Sequence, residues 1–257
     1  MDSPFSHFSR HFDFPEIAHV PALKAFEWVG RGWQDLRQSP MASLGHGFVV
    51  TMLMVFATEL AYGRPFLFTA MASGFLLLGP LFALCFYEIS RAHEAGEATG
   101  FGAAFYAWRR NTRSVALFGL ILAIIVIAWE RVSAILFALL YGGGMPAMET
   151  FMEDVFLSGR YPMLVAAFLL VGAVFALFVF CIAVVSLPMM MHCGTDVATA
   201  MATSVRAVAA NPFATLLWAI AIVVLTAFGF ATSLFGMVLV MPVLGHASWH
   251  AYRDMVR

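Results

Sequence analysis

Between Val115 and Leu140 the only charged residues are Glu130 and Arg131, in a long and otherwise largely apolar run, and that run limits what the chain can become. About 20 apolar residues cross the roughly 30 Å hydrocarbon core of a bilayer as a helix. Comparable runs occupy residues 42–62, 66–89, 161–191 and 213–249. Hydrophobic residues make up 62% of the chain and charged residues 11%, against roughly 45–50% and about 25% in soluble domains. The sequence therefore reads as an all-α membrane protein, with lipid as the solvent for most of its surface.

The chain divides into a flexible tail over residues 1–20, without the apolar core of a secretory signal, and one polytopic domain over 21–257. Residues 21–38 read as an amphipathic helix lying on the membrane. Leu23, Phe26, Val29, Trp33 and Leu36 share one face, and Lys24, Glu27, Arg31, Asp35 and Gln38 the other. Ser39-Pro40 ends it. Span 1 (42–62) and span 2 (66–89) are joined only by Gly63-Arg64-Pro65, which makes them a hairpin. A second surface helix (101–113) precedes span 3 (115–141). After Gly142-Gly143-Gly144, residues 146–157 suggest a small acidic helix closed by Gly159. Span 4 covers 161–191, and a third surface helix 195–210.

The last apolar run is too long for one crossing. Gly229, Thr232, Ser233 and Gly236 mark a turn, which gives span 5 (213–228) and span 6 (233–250); a single kinked helix is the alternative. The expected fold class is thus six transmembrane helices as three hairpins, each preceded by a cytoplasmic surface helix. Lys and Arg sort by side in this arrangement. Arg10, Lys24, Arg31, Arg37, Arg91, Arg109, Arg110, Arg113, Arg206, Arg253 and Arg257 share one side, and Arg64 and Arg160 stand on the other with Glu149, Glu153 and Asp154. The positive-inside rule then puts both termini in the cytoplasm. The same unit recurs three times. A surface helix meets a polar stop (Ser39-Pro40, Asn111-Thr112, Asn211-Pro212), and the returning span carries Pro80, Pro188 or Pro242.

Charged groups within spans call for an explanation. Glu59 and Glu130 fall roughly 24 Å along their spans at about 1.5 Å per residue, in the outer third. With Arg131 they form a candidate intramembrane polar site for a proton or cation. The plainer reading is interfacial placement for Glu59 and helix packing for Glu130 and Arg131. Adjacent residues on a helix do not face each other, so Arg131 is expected to reach Glu59 or a neighbouring span. His46, His192, His246 and His250 gather at the expected cytoplasmic ends of spans. His246 and His250, at i,i+4, have the spacing of a metal or haem ligand pair, although no carboxylate or cysteine completes a known motif. Cys85, Cys181 and Cys193 suggest no disulfide framework. Nucleotide loops, nucleophile elbows and zinc-protease motifs are missing from the sequence, so no cofactor is expected. Nucleic-acid binding has no support beyond the basic loops.

Four stretches are distinctive together: Ala128-Trp129-Glu130-Arg131, Ser186-Leu187-Pro188, the run from Thr203 to Pro212, and the closing run from Pro242 to Asp254. Over about residues 20–255 the chain resembles a bacterial family described only as predicted integral membrane proteins, a domain of unknown function. The resemblance implies a six-span inner-membrane protein and carries no catalytic residue. The expected role is a non-enzymatic accessory or assembly subunit that works through the bilayer and through a membrane-protein partner or further copies of itself. A small transporter or channel built on Glu59, Glu130 and Arg131 is the alternative, and a haem- or metal-binding protein a third.

Overall fold

The computed structural model describes residues 14–62, 65–98, 100–142 and 152–257. They form α1 (Lys24–Gln38), α2 (Pro40–Leu60), α3 (Pro65–Phe82), α4 (Leu84–Ala95), α5 (Phe101–Phe105), α6 (Thr112–Leu140), α7 (Pro162–Ala183), α8 (Ser186–Cys193), α9 (Val197–Ala210), α10 (Pro212–Ala231) and α11 (Met237–Met255). Pro40, Pro162 and Pro212 open their helices, where a missing amide proton costs nothing. Asn111 caps α6 by accepting from Ser114, and Asp196 caps α9 by accepting from Ala198 and Thr199. The second surface helix is broken in two: α5 is followed by a 3-10 turn, Ala107–Asn111. The Gly63-Arg64 link, Gly143-Gly144 and the first half of the expected acidic helix at 146–157 lie outside the described residues. Its last residues, Met152–Leu157, form one π turn, and Gly159 follows at φ 69°.

Among the described residues five helical stretches are long and apolar enough to cross a membrane: Pro40–Leu60, Ser73–Ala95, Ala107–Leu140, Pro162–Cys193 and Pro212–Ala231. Two of them bend near a proline, as a missing donor and a ring clash require. The α3–α4 stretch breaks at Ala83, just after Pro80, and the α7–α8 stretch at Val184 and Val185, just before Pro188. The last apolar run does divide: α10 ends at Ala231, and Ser233 and Leu234 turn the chain with positive φ. The second half, α11, is not among the five. It is enclosed by protein over most of its length, and it carries His246, His250, Arg253 and Asp254.

The three units interlock in a ring. Each surface segment packs on the returning helix of the unit before it: α5 on α4, α9 on α7 and α8, and α1 on α11. Each polar stop also holds the segment that precedes a following surface helix. Ser39 Oγ bonds His93 Nε2 at 2.7 Å. Asn111 Nδ2 donates to the carbonyls of Met190 and Thr195. Asn211 Nδ2 donates to the Ala18 carbonyl, and its Oδ1 accepts from the Val20 amide. The third contact closes the ring, and beside it Ile17 forms an antiparallel bridge with Val256. Residues 16–20, expected as part of a mobile tail, are thus tied to the chain's other end.

α1 keeps the expected lipid-facing residues and departs from expectation on the side that meets the protein. Leu23, Phe26 and Trp33 point outward, 68%, 62% and 43% exposed, as suits a helix lying on lipid. Ala25, Trp28, Gly32, Asp35 and Leu36 are the buried set. Leu36, placed by periodicity with the membrane-facing residues, and Asp35, placed on the polar face opposite, both point into the protein.

Candidate functional site

Where α1, α4 and α11 meet, three side chains converge on Asp35, which is 7% exposed. Its Oδ2 takes bonds from Ser90 Oγ at 2.5 Å and His250 Nε2 at 2.9 Å. Its Oδ1 takes His93 Nδ1 at 3.2 Å. A carboxylate only accepts, so this one group sets the direction of the whole network. Ser90 donates to Asp35 and accepts from His246 Nδ1 at 2.8 Å, while His246 Nε2 accepts from Ser43 Oγ at 2.9 Å. On the other oxygen His93 donates through Nδ1, so its Nε2 accepts from Ser39 Oγ. His246 comes within 3.9 Å of Asp35, and Ser90 bridges the two.

Burial by itself would raise the Asp35 carboxyl. Hydrogen bonds from His250 and Ser90, with the proximity of His246 and His250, outweigh it and hold the group at about 2. An ionised carboxylate in this position needs its several donors, because a buried charge without them is costly. Around the network lie ion pairs that fix its supports. Arg31 pairs with Asp254, which also accepts from Trp28 Nε1 at 2.9 Å. Arg253 meets Glu94 at 3.0 Å, and Arg91 and Arg110 each reach Glu88 at 2.8 Å.

The four histidines singled out by position occupy three separate settings. His246 and His250 share the Asp35 network. His46 bonds the Ala42 carbonyl through Nδ1 and stacks on Phe101 with ring centroids 4.1 Å apart. His192 bonds the Tyr252 hydroxyl at 2.9 Å and lies edge-on to Trp249. Among the described residues no group of three or more His, Cys, Asp or Glu side chains is arranged to hold a metal ion. His93, His246 and His250 converge on Asp35 rather than on a common point between them.

The intramembrane candidates are not brought together. Glu59 ends α2 and is exposed, Arg131 is exposed on α6, and Glu130 is half-buried beside it. The group that locks α6 to α7 is Trp129, 5% exposed, which packs on Gly172, Phe168 and Phe175. Sequence reading missed Asp35, Ser39, Ser43, Ser90 and His93. The available signal was the Ala25, Trp28, Gly32, Asp35 stripe at helical spacing, whose small residues allow a close approach to another helix.

Fold and composition define the class: a helical integral membrane protein. Within it, residues 67–192, just under half of the chain, match the family described as predicted integral membrane protein (DUF2189). No curated protein and no solved structure matches the chain.

Proposed function

We propose that this protein is an accessory or assembly subunit of a bacterial inner-membrane complex, crossing the bilayer six times with both termini in the cytoplasm. The observation that carries the reading is the placement of Glu59 and Arg131 on outward surfaces of α2 and α6, with Glu130 half-buried between protein and surroundings. No ion pair or hydrogen bond to another helix is formed by these three among the described residues. Ionisable groups on a lipid-facing span are disfavoured by about 2.5–3.5 kcal/mol each at the bilayer centre and by less toward its edge. A partner helix bringing opposite charges would relieve that cost. A transporter built on the same residues would need them to converge on one path, whereas Glu59 faces outward on α2 and Arg131 faces outward on α6.

The pairing of residues 16–18 with 255–257 supports an even number of crossings, with α11 as the sixth. The basic side of the bundle then faces the cytoplasm. The test is co-purification from native membranes with a tag ahead of residue 14. A protein recovered in fixed stoichiometry, and lost from the Arg131→Ala variant, supports the reading. Elution alone as a discrete monomer or homo-oligomer, from gently solubilised native membranes, overturns it.

A further inference from the structure

We propose that Ser39, His93 and Asp35 form an acyl-transfer site that hydrolyses carboxylic esters bearing a hydrocarbon chain. The three side chains come from the end of α1, the α1–α2 junction and α4, and they stand in the order nucleophile, base and orienting acid. Ser39 Oγ lies 2.7 Å from His93 Nε2, and His93 Nδ1 lies 3.2 Å from Asp35 Oδ1. That is the geometry by which an activated serine is recognised: nucleophile within reach of a base, and the base fixed by a third group. The acceptor-only carboxylate keeps the proton on Nδ1, so the lone pair of Nε2 faces the Ser39 hydroxyl. Ser90 and His250 occupy the other Asp35 oxygen and hold the acid still.

Two further observations set Ser39 apart from an ordinary helix-start serine. Serine at an N-cap normally turns its hydroxyl back to the first amides of the helix. Ser39 makes no such bond, and its hydroxyl goes to His93 instead. Ser39 also opens on a cleft of about 470 Å³ whose wall is formed by Pro40, Met41, Ala42, Gly45 and Phe101. The other hydroxyls of the network, Ser43 and Ser90, are fully buried and out of reach of any substrate. The wall is apolar, and it lies where the first membrane-length helix begins. An ester with an acyl chain, presented from the membrane surface, is the substrate class that fits.

The chemistry closes with water as the only co-reactant. Ser39 Oγ attacks the ester carbonyl carbon as His93 Nε2 takes its proton. The carbon–alkoxy bond then breaks, and the same proton passes to the departing alcohol. Water attacks the acyl carbon, gives a proton to His93, and releases the acid as the bond to Ser39 breaks. His93 returns that proton to Ser39. Pro40 has no amide proton, so the donors assigned to the oxyanion are the first-turn amides of Met41 and Ala42, which have no carbonyl a turn behind them.

The site is independent of any partner, so the test uses the full chain alone in detergent. It is treated with an alkyl fluorophosphonate and digested, and the adduct is located by mass spectrometry; turnover is followed with p-nitrophenyl decanoate. The expected result is one adduct, on Ser39, and ester hydrolysis that disappears in Ser39→Ala. A His93→Gln variant should label at least about 100-fold more slowly, the usual contribution of a positioned base. No adduct, an adduct elsewhere, hydrolysis that persists in Ser39→Ala, or undiminished labelling in His93→Gln overturns the proposal. Because the wild-type adduct map decides by itself, a variant that failed to fold would leave the test intact.

Discussion

Gly32 of α1 lies directly against Ala247 of α11: a Cβ added there would stand 2.8 Å from the Ala247 amide nitrogen and 2.6 Å from the Val243 carbonyl oxygen. Both neighbours are backbone, which cannot swing aside. Gly32→Ala should therefore force the helices apart and loosen Asp35 one turn on. We expect a loss of about 1–3 kcal/mol, the usual range for overpacking, measured as a lower unfolding midpoint in detergent. Gly30→Ala on the same helix has nothing within 4 Å of its new methyl. It should be neutral or stabilising by up to about 1 kcal/mol, since alanine is the better helix former. Equal effects from the two substitutions would contradict this account of the seam.

Asp35 gives the fold a defined acid dependence. Its carboxyl is lowered from 3.8 to about 2, so the native state favours the ionised form more than the unfolded state does. The associated stability is fully present above about 4 and is lost as pH falls from there toward 2. At about 1.4 kcal/mol per pKa unit this amounts to about 2 kcal/mol. Unfolding midpoints of the wild type and Asp35→Asn, measured at a series of pH values, should differ by a constant amount above pH 5 and converge below pH 4. A difference that stays constant down to pH 2 would show that Asp35 is not held in this way.

The spans could be read because lipid demands long apolar runs, and the α10–α11 turn because Gly229, Thr232, Ser233 and Gly236 interrupt the longest of them. The His246–His250 pair was visible for the same kind of reason, as a local i,i+4 repeat. Its partner was not: Asp35 lies 215 residues away in sequence from His250. Periodicity at α1 gave the lipid-facing stripe of Leu23, Phe26 and Trp33 and was silent on what packs against the opposite side. On a helix lying at a membrane, Leu23, Phe26 and Trp33 seek lipid, while small residues such as Ala25 and Gly32 seek the protein. The apolar stripe therefore points away from the core, and the apparently solvated Asp35 points toward it. The threefold pattern of stops was legible, but the bonds that make it a ring join distant segments and could only be seen in three dimensions.

Asn211 carries the bonds that close that ring. Besides Ala18 and Val20, its side chain serves the Ala207 carbonyl, and it is 3% exposed. Asn211→Ala would leave the Val20 amide and the Ala18 carbonyl without these partners, at about 1–3 kcal/mol for each buried group left unsatisfied. Hydrogen exchange should then accelerate at residues 17–20 and, through the Ala18–Met255 bond, at 255–257. The α6–α7 hairpin should keep its protection. Faster exchange throughout the molecule would mean that closure is needed for the whole bundle and not just for its ends.

Trp129, Glu130 and Arg131 are consecutive, yet the fold gives them opposite duties, and two substitutions separate them. The Trp129 ring lies against Gly172, where an added Cβ would come within 3.2 Å of it, and two phenylalanines flank it with centroids 5.0 and 5.5 Å away. Trp129→Ala should cost about 3–5 kcal/mol, as deletion of a large buried ring does, and should lower the unfolding midpoint of the isolated protein. Arg131 is exposed and, among the described residues, touches no other helix through an ion pair. Arg131→Gln should leave that midpoint within about 0.5 kcal/mol of the wild type while weakening co-purification of a partner from native membranes. If Arg131→Gln instead destabilises the isolated chain, the arginine serves internal packing, and the outward face loses its claim to a partner.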